Sequence, residues 1–501
     1  MFSKRTIREQ QVSVRIEENE RLLRETFKRD PQVIIQPLQV HASGNTTKKL
    51  LWIGIEGLID KDELYLNVFT PLNTSVFPGR NFIQEIENAV GVKQIEIERQ
   101  MQKCLEHATY GNVILFVDGE REALVIHMQG FAERAIEESA WEPSVRGSHE
   151  GFVESITTNL MLIRKRIHST DVRVEPLFLG DITKTQLSIV YLESIADLRL
   201  VQRMKERLSK INIDSILCSG EVEQAIEDNH RTLFATIGNT ERPDKIADIV
   251  LEGRVALLVD GDPTALYAPY FFIDAFKSQE DYSSRPYYVS FIRLLRFFSF
   301  VIAVLAPAYY IFALNFHKEM IPTALVSNFQ RANERSPFPT IIEVLIMLGM
   351  FEVVREAGIR LPKSVGSAVS IVGALILGQV SVDAGIVSAP TIIAVAVSII
   401  AGFVLTPVAD VVSLLRLINI LAAGLFGAFG VLMVMMTTVL HMVSLTSLGE
   451  PYLAPFAPLH FEDWKDSVVR VGIQKNRNRP HSVPQRRTVK IRHLPGDDEQ
   501  G

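Results

Sequence analysis

Four long uncharged runs in the second half of the chain constrain its fold more than any other feature. They cover residues 297–316, 364–382, 384–409 and 417–449. Each run is long enough to cross the hydrocarbon core of a bilayer, about 30 Å thick, which takes about 20 apolar residues in a helix. Almost three hundred residues of mixed polar sequence precede the first run. The sequence therefore predicts a soluble α/β region followed by an all-α polytopic transmembrane domain.

Length and composition limit the classes of protein to which the chain can belong. A chain of 501 residues is expected to form roughly three units of about 150 residues. The net charge of −6 argues against a general role in nucleic-acid binding. Cys104 and Cys218 provide neither a disulfide framework nor metal-ligand spacing, so no metal and no cofactor are expected. The predicted units are cytosolic subdomains 1–140 and 141–296, the membrane domain 297–449 with an embedded segment 338–354, and a basic tail 450–501.

The two ends of the chain predict its orientation in a membrane. The N-terminal residues are charged and contain no apolar stretch, so no secretory signal is expected and the soluble half should stay in the cytoplasm. Arg285, Arg293 and Arg296 precede the first run, in agreement with the positive-inside rule. The tail carries nine Lys or Arg residues between Lys465 and Arg492. This charge favours attraction to an anionic leaflet.

The soluble half contains an internal repeat. Residues 49–60 resemble 186–197, and residues 111–126 resemble 253–268, including an Asp-Gly pair in each copy. The β-branched runs around Asp118-Gly119 and Asp260-Gly261 predict two hairpins, because Asp-Gly tolerates the positive φ of a tight turn. Two similar α/β subdomains are therefore expected. Asp260 and Asp262 are interpreted as turn residues rather than metal ligands, since an isolated D-G-D lacks the other ligands of a calcium loop.

Helical periodicity fills the space between the matched strands. It predicts helices over 83–106 in the first copy, and over 197–211 and 221–229 in the second. Residues 145–167 join the copies, and their second half predicts an amphipathic linker helix with a solvated face bearing Arg164, Lys165 and Arg166. The alternative is a subunit contact, in which Arg146, Glu150 and Glu154 form charged pairs across an interface.

The segment 338–354 is apolar but contains two glutamates. Glu343 and Glu352 lie nine residues apart, which places them on opposite faces of a helix. Glu352 is expected to pair within the charged end that contains Arg355 and Arg360. Glu343 has no such neighbour, and an ionisable group in a membrane segment is a functional hypothesis because its burial is costly. An ion-pathway role for Glu343 and a pairing role with another helix both remain open.

The number of membrane crossings depends on the same segment. If 338–354 spans, five crossings place the basic tail outside, against the positive-inside rule. If it is only partly inserted, four crossings keep the soluble half and the tail inside, and this is the favoured model. The five-span model, however, places the loop with Arg355, Arg360 and Lys363 inside, so the rule does not decide between them.

The second run is rich in small residues, which predicts either close helix packing or a pore-lining helix. Gly366, Ser370 and Gly373 recur at helical spacing. In the pore reading, aliphatic residues form a constriction that gates by dewetting. Pro390 and Pro407 in the third run are expected to free backbone carbonyls as a hinge or a kink. The candidate pathway residues are Glu343, Val369, Val372, Gly373, Ile376 and Leu377.

Six ordered stretches give the chain a family resemblance. They are RGSHEGF (146–152), TERPD (240–244), LEGRVALLVDG (251–261), EDYSSRP (280–286), REAGIRLP (355–362) and PYLAPFAP (451–458). Between residues 145 and 470 the chain thus resembles the GerA spore germination family. That family comprises the A subunits of nutrient germinant receptors and the related stage V sporulation AF-type proteins. Residues 1 to about 110 match its pattern less plainly, which leaves the branch open.

The resemblance implies a location, an assembly and an activity. The location is the inner membrane of a bacterial endospore, with the soluble half facing the spore core. The assembly is an oligomeric, pentameric channel that releases monovalent cations at germination. In the receptor branch the partners are a transporter-like B subunit and a lipoprotein C subunit, and in the AF-type branch a small membrane protein.

Three other functions compete with a channel. A secondary transporter is expected to show an inverted repeat in the membrane half, whereas the repeat found here lies in the soluble half. A non-conducting scaffold subunit of a receptor is the second alternative. An enzyme would require a nucleophile, base or phosphate-binding loop, and the sequence contains no G-x-S-x-G and no Gly-rich phosphate loop. The chain is therefore not expected to be an enzyme.

Overall fold

The soluble half begins with a helix and a five-stranded antiparallel sheet. The structure, a computed structural model, describes residues 10–28, 30–42, 46–78, 81–92, 94–130, 142, 146–333, 336–361, 373 and 378–490. The first sheet has the strand order β1-β2-β4-β5-β3. Its strands are β1 Val33–Ala42, β2 Thr46–Ile55, β3 Ile95–Glu98, β4 Val113–Val117 and β5 Ala123–Ile126. Its helices are α1 Ile16–Phe27, α2 Lys61–Leu64, α3 Thr70–Thr74, α4 Phe82–Ala89 and α5 Met101–Thr109, with a π-helical turn Tyr65–Phe69.

A second sheet repeats the first. Its strand order is β6-β7-β9-β10-β8, which is the order of the first sheet shifted by five strands. The strands are β6 Val172–Leu179, β7 Thr185–Leu192, β8 Gly238–Thr240, β9 Val255–Val259 and β10 Ala265–Ala268. The helices are α6 Ile156–Arg164, α7 Leu198–Leu208, α8 Ser219–Ile226 and α9 Pro243–Leu251. The predicted duplication is confirmed, and so are both Asp-Gly hairpins, β4–β5 and β9–β10.

The repeat extends to individual hydrogen bonds. Asp118 Oδ1 accepts a hydrogen bond from the Ile16 amide at 3.3 Å, and Asp260 Oδ1 accepts one from the Ile156 amide at 3.1 Å. Each hairpin turn therefore holds the first turn of a helix, α1 in one copy and α6 in the other. The helix predicted as a linker is thus the opening helix of the second copy. Asp262 accepts hydrogen bonds from backbone amides with both oxygens, which confirms its turn role.

The prediction of an uninterrupted helical region over 83–106 is wrong. Two helices, α4 and α5, flank the strand β3, whose sequence Ile-Glu-Ile-Glu alternates apolar and acidic residues. β3 pairs antiparallel with β5 at the edge of the sheet. A four-residue alternation is too short to outweigh the helical periodicity around it, and pairing with β5 decides the conformation.

The predicted solvated face of α6 is wrong at Arg164, whereas Lys165 and Arg166 are partly exposed. Arg164 is 3% exposed, and its guanidinium pairs with Asp30 and donates to Gln32 Oε1 at 2.7 Å. Both partners belong to the first copy. A Cβ at Gly57 would lie 3.1 Å from Met161 Cβ, so Met161, one turn before Arg164 on the same face of α6, also packs against the first copy. The helix is enclosed because it fills the space between the two sheets.

One carboxyl group of the second copy predicts a pH dependence of stability. Burial raises the pKa of Glu223 on α8 to about 7. Because the pKa is raised in the fold, the stabilising contribution of the protonated form is complete below about pH 4.5 and is lost as the pH rises through about 7. Relative to Glu223→Gln, the wild type should lose about 1 to 2 kcal/mol of unfolding free energy over this window, after allowance for partial exposure. Chemical unfolding at several pH values measures it.

The control for Glu223 is Glu206→Gln, which alters an exposed glutamate on α7. Its unfolding free energy should follow the wild type at every pH. A Glu223→Gln variant whose pH profile also matches the wild type would refute the assignment.

The second half of the chain is a helical bundle. Its helices are α10 Pro286–Asn315, α11 Thr323–Asn333, α12 Thr340–Arg360, α13 Ala389–Phe403 and α14 Ala409–Ser444. Within the described residues, 286–315 and 406–444 are helical stretches whose length and apolar character suit a membrane crossing, and α13 is shorter but also apolar. Most of the second predicted run lies outside the described residues.

α14 is not one straight helix but folds back on itself at Gly427. That residue has φ 61° and ψ −147°, which interrupts the helix. A Cβ at Gly430 would lie 2.5 Å from the carbonyl oxygen of Ala422, whereas residues eight apart in a continuous helix are separated by about 12 Å. The two arms, 409–426 and 428–444, therefore lie side by side.

The fold-back predicts a strong requirement for glycine at 427. Gly427→Ala should lower the unfolding free energy by about 1–3 kcal/mol, because an L side chain rarely adopts this φ and ψ. The new Cβ would also lie 3.1 Å from Phe316 Cγ. Gly349→Ala on α12 is the control, since no atom lies within 4 Å of a Cβ there. Thermal unfolding of the solubilised chain compares them, and equal losses for both variants would contradict the strained turn.

The segment after α14 packs on the second copy of the soluble half. Asp228 accepts hydrogen bonds from the Leu448 and Gly449 amides, each at 3.0 Å. Tyr452 is 1% exposed within the main core. Further along, the Arg486 amide donates to the Ile195 carbonyl at 2.7 Å. The chain after the helical bundle is therefore bound to the domain that precedes the bundle.

Candidate functional site in the helical bundle

The first buried polar junction surrounds Glu343, in the first turn of α12. The side chain is fully enclosed, at 0% exposure. Its Oε2 accepts hydrogen bonds from the Ser388 amide at 2.9 Å, from Ser388 Oγ at 2.9 Å and from Thr391 Oγ1 at 2.8 Å. Ser388 is the N-cap of α13. Glu343 thus caps a neighbouring helix, whose positive end favours a carboxylate.

Polar side chains continue this junction toward the end of α10. Thr391 Oγ1 lies 3.3 Å from the Tyr310 hydroxyl, which donates to Asn333 Oδ1 at 3.4 Å. The Asn333 amide donates to Thr340 Oγ1 at 3.1 Å, and Thr340 in turn donates to Asn315 Oδ1 at 3.4 Å. These bonds bring together the end of α10, the end of α11 and the starts of α12 and α13.

One oxygen of Glu343 has no partner. Oε1 is buried and accepts no hydrogen bond from any described residue. The structure describes no Lys, Arg or His in an ion pair with this carboxylate. An enclosed carboxylate without a neighbouring cation leaves negative charge uncompensated, which is costly in an apolar surrounding. A cation beside Oε1 would offset that cost.

The second junction surrounds Arg416 in the first arm of α14. Its side chain is 3% exposed. Nε donates to the Ala303 carbonyl at 2.9 Å, and Nη2 donates to the Ser398 carbonyl at 3.4 Å. Nη1 lies 3.8 Å from Glu352 Oε1. One guanidinium thus contacts α10, α12 and α13 from α14.

Pro307 explains why the Ala303 carbonyl accepts these bonds. Proline lacks the N–H that would bond to the carbonyl four residues earlier, so the Ala303 oxygen has no helical donor. Ser398 Oγ donates to that oxygen at 2.6 Å, beside Arg416 Nε. A Cβ at position 402 would lie 3.1 Å from Arg416 Nη2, so Gly402 leaves room for the guanidinium. The proline creates an acceptor that two other helices use.

The proline that frees a backbone carbonyl is Pro307, not Pro390 or Pro407 as expected from the sequence. Pro390 lies in the first turn of α13, where no helical carbonyl loses a donor, and Pro407 lies in a separate 3-10 turn. Pro307, Ser398 and Arg416 were not identified from the sequence. A signal for them exists, since Pro307 interrupts the first apolar run and Arg416 directly precedes the fourth.

The charged end of α12 behaves as expected. Arg355 Nη2 lies 2.7 Å from Glu352 Oε2, which confirms the predicted pairing. Arg355 also donates to Ser413 Oγ at 3.2 Å, so the pair contacts the first arm of α14. Glu352 is therefore part of the Arg416 junction.

The remaining sequence-predicted site residues are placed as follows. Gly373 is helical, and a Cβ there would lie 3.7 Å from Val354. Val369, Val372, Ile376 and Leu377 lie outside the described residues. Their pore assignment stays a prediction.

The predicted subunit-contact residues lie at the start of the second copy. Arg146 and Glu154 are exposed. Glu150 is half-buried, which raises its pKa, but hydrogen bonds from Lys165 at 2.8 Å and Arg166 at 2.6 Å hold that pKa below its usual value. Glu150 therefore pairs within its own chain, and the interface role of all three residues stays a prediction.

Known proteins similar to this chain are named as spore germination proteins or as membrane proteins. The family model described as Bacillus/Clostridium GerA spore germination protein matches residues 21–482. Spore germination protein KA of Bacillus subtilis (strain 168) is 39% identical over 455 residues, 90% of this chain and 83% of that protein. Uncharacterized membrane protein YfkQ of the same strain is 36% identical over 419 residues, 83% of this chain and 82% of that protein.

One solved structure is similar to about half of this chain. It is the crystal structure of the N-terminal domain of the A subunit of the Bacillus megaterium spore germinant receptor GerK3. It is 32% identical in sequence, with a TM-score of 0.40, and the match covers 52% of this chain and 98% of that one.

Proposed function

Because the chain belongs to the GerA family of spore germination proteins, we propose that it is the A subunit of a germinant receptor and forms an oligomeric channel for monovalent cations. The proposed location is the inner membrane of the endospore, with the soluble half facing the spore core. The observation that carries the proposal is the enclosed Glu343 carboxylate, whose second oxygen has no partner among the described residues. Uncompensated negative charge inside an apolar bundle favours cations.

The proposed topology places both the soluble half and the C-terminal segment on the core side. α12 starts beside the end of α10, through Asn333 and Thr340, so it runs back across the membrane. The fold-back at Gly427 divides the fourth run into two arms of about 25 Å each. With the second run and α13, six crossings replace the four counted from the uncharged runs. An even number agrees with the docking of the C-terminal segment on the soluble half.

Accessibility of two introduced cysteines checks this topology. In a Cys218→Ser chain, Leu425→Cys lies at the tip of the fold-back, where Leu425 is 69% exposed, and should be labelled from outside intact cells by a membrane-impermeant reagent. Arg487→Cys should react only after permeabilisation. Labelling of residue 487 from outside would overturn the even number of crossings.

The proposed assembly is a pentameric ring in which the duplicated soluble half surrounds the axis. Symmetry would repeat one contact surface around such a ring, and Arg146, Glu150 and Glu154 are the proposed members of that surface. The proposed partners are the B and C subunits of a receptor. Val369, Val372, Gly373, Ile376 and Leu377 are proposed to line the pore.

Ion flux from vesicles tests the proposal. The purified full chain, reconstituted in liposomes, should pass K⁺ or Na⁺, and the detergent-solubilised particle should have the mass of a closed ring. Saturable exchange of a solute without ionic current would support a secondary transporter instead. A closed ring that passes no ions, alone or with the B and C subunits, would support a non-conducting scaffold.

Substitution of Glu343 tests the proposed origin of cation preference. Glu343→Gln removes the charge but retains an acceptor for Ser388 and Thr391. An enclosed charge is weakly screened, so its loss should lower cation conductance by about tenfold. Glu356→Gln, an exposed glutamate on the same helix, is the control and should leave the current unchanged. An unchanged current in Glu343→Gln would remove this residue from the pathway.

A further inference from the structure

A cationic cavity lies between the C-terminal segment and the second copy of the soluble half. Its volume is about 410 Å³. It is lined by six cationic side chains, Lys277, Lys465, Lys475, Arg477, Arg479 and Lys490, and by four acidic ones, Glu252, Glu462, Asp463 and Asp466.

The acidic side chains of the cavity are already engaged. Asp463 accepts hydrogen bonds from the His481 and Ser482 amides, each at 2.8 Å. Asp466 Oδ2 accepts from Asn476 at 3.0 Å and from Tyr282 at 3.2 Å. Glu252 lies 3.3 Å from Arg254, and Glu462 lies 3.1 Å from His481. Their charge is thus largely balanced by partners other than the lysines.

Several cations of the cavity form no ion pair with an acidic residue that the structure describes. Lys465, Lys475 and Lys490 are exposed and form no ion pair with any described residue. Arg479 is 6% exposed, and among the described residues its guanidinium donates to three backbone carbonyls, those of Leu251, Arg487 and Val489, at 2.7 to 3.1 Å. Glu252 acts on Arg479 through its charge but forms no ion pair with it, and a buried guanidinium without a paired carboxylate favours an anion nearby. The lining of the cavity therefore favours the binding of an anion.

The cavity lies beside the first turns of α10. Arg293 Nη1 donates to the Asp466 carbonyl at 2.5 Å, and the Arg470 amide donates to Ser290 Oγ at 3.0 Å. α10 has 30 residues and a length of about 45 Å, whereas the hydrocarbon core is about 30 Å thick. The uncharged run begins at residue 297, so the first eleven residues of α10 lie at the level of the lipid headgroups.

An aromatic face marks the same level. On the first turns of α10, Tyr287 is 92% exposed, and Tyr288 and Phe291 are each 61% exposed. On the C-terminal segment, Phe461 is 69% exposed. Exposed Tyr and other aromatic residues beside a membrane helix are typical of the interfacial layer. Headgroup phosphates would stand next to the cavity.

We propose that this cavity binds the phosphate of an anionic phospholipid headgroup and so attaches the C-terminal segment to the membrane surface. The proposal depends on the membrane placement of α10 given under the proposed function. Phosphatidylglycerol has the required chemistry, a phosphodiester with one negative charge. Lys465, Lys475 and Lys490 supply the exposed contacts, and Arg479 supplies the buried charge behind them.

Lipid retention by the full chain tests the site. The chain is solubilised with an equimolar mixture of phosphatidylglycerol and phosphatidylcholine, and the lipids that remain bound are counted by native mass spectrometry. The wild type should retain phosphatidylglycerol preferentially. Combined substitution Lys465→Gln, Lys475→Gln and Lys490→Gln should lower that preference by about a hundredfold, at roughly fivefold per lysine. Equal retention in the wild type and this variant would overturn the proposal.

A matched control removes the same charge elsewhere. Lys61, Lys184 and Lys210 are exposed lysines of the soluble half outside the cavity, and their combined change to Gln should leave the preference intact. If the control variant also loses the preference for phosphatidylglycerol, the preference depends on the net charge of the chain and not on the cavity. If the cavity variant unfolds, the triple Lys→Arg variant still decides the matter, because it should keep the preference.

Two further measurements complete the test. The first distinguishes a lipid headgroup from free phosphate, and the second distinguishes failure of the lipid site from failure of membrane insertion. Inorganic phosphate should not displace the lipid, and displacement at millimolar concentration would assign the cavity to a free anion. Flotation with phosphatidylcholine vesicles reports membrane insertion alone. A chain that floats with the vesicles but shows no headgroup preference would disprove the lipid site without contradicting the membrane placement of α10.

Discussion

Replacing Arg416 by glutamine is expected to lower the unfolding free energy of the helical bundle by about 2–3 kcal/mol. The change removes one donor to the Ala303 carbonyl and the donor to the Ser398 carbonyl, and buried unpaired polar groups cost about 1–3 kcal/mol each. Four helices meet at this guanidinium, so the same variant should also raise the resting ion leak of reconstituted vesicles. Unfolding in mixed detergent and vesicle flux measure the two effects.

A double-mutant cycle separates this junction from a general loss of packing. Pro307→Ala restores the backbone N–H that can donate to the Ala303 carbonyl inside α10. In that background the cost of Arg416→Gln should fall by about 1 kcal/mol or more, because the carbonyl has its own donor. Pro390→Ala, in the first turn of α13, frees no carbonyl and should leave the cost unchanged. Equal costs in all three backgrounds would show that Pro307 and Arg416 act independently.

The second large effect is expected at Arg164, which joins the two copies of the soluble half. Arg164→Met should cost about 3–5 kcal/mol, since it leaves the Asp30 carboxylate buried without its cation. The double substitution Asp30→Leu with Arg164→Met should be nearly neutral, because it removes both charges from the same enclosed space. Denaturant unfolding of the full chain measures these costs.

Arg166 provides the control for Arg164. It lies two residues further along and pairs with Glu150, but both side chains are partly exposed, at 17% and 30%. Arg166→Met should therefore cost about 1 kcal/mol or less. If the single Arg164 variant and the Arg166 variant lose the same stability, the contact between the copies does not depend on the buried pair.

Local signals made the soluble half largely predictable. Each Asp-Gly hairpin is specified by neighbouring residues, and the second copy repeats the pattern, so the duplicated fold followed from short stretches. The failures have one physical cause. Arg164 lies on a polar helix face by periodicity, but its burial depends on Asp30 and Gln32, more than 130 residues away in sequence. Such a partner leaves no mark in the local pattern.

The helical bundle was less predictable because apolar runs specify length and little else. Glu343 stood out as the unpaired charge, but its position at the start of α13 depends on Ser388 in another run. Gly427 resembled the other small residues of its run, and only its backbone conformation reveals a reversal. Pro307 was hidden for a similar reason, since the use of a freed carbonyl depends on helices that come later in the chain.

The docking of residues after α14 gives the helical bundle two attachments to the second copy of the soluble half. α10 leaves the second copy of the soluble half at residue 286, and the second arm of α14 returns to it, where Asp228 binds the chain just beyond. A rigid rotation of that copy would therefore displace two neighbouring helices as a pair rather than tilt one of them. Both helices would thus transmit such a rotation to the rest of the bundle at the same time.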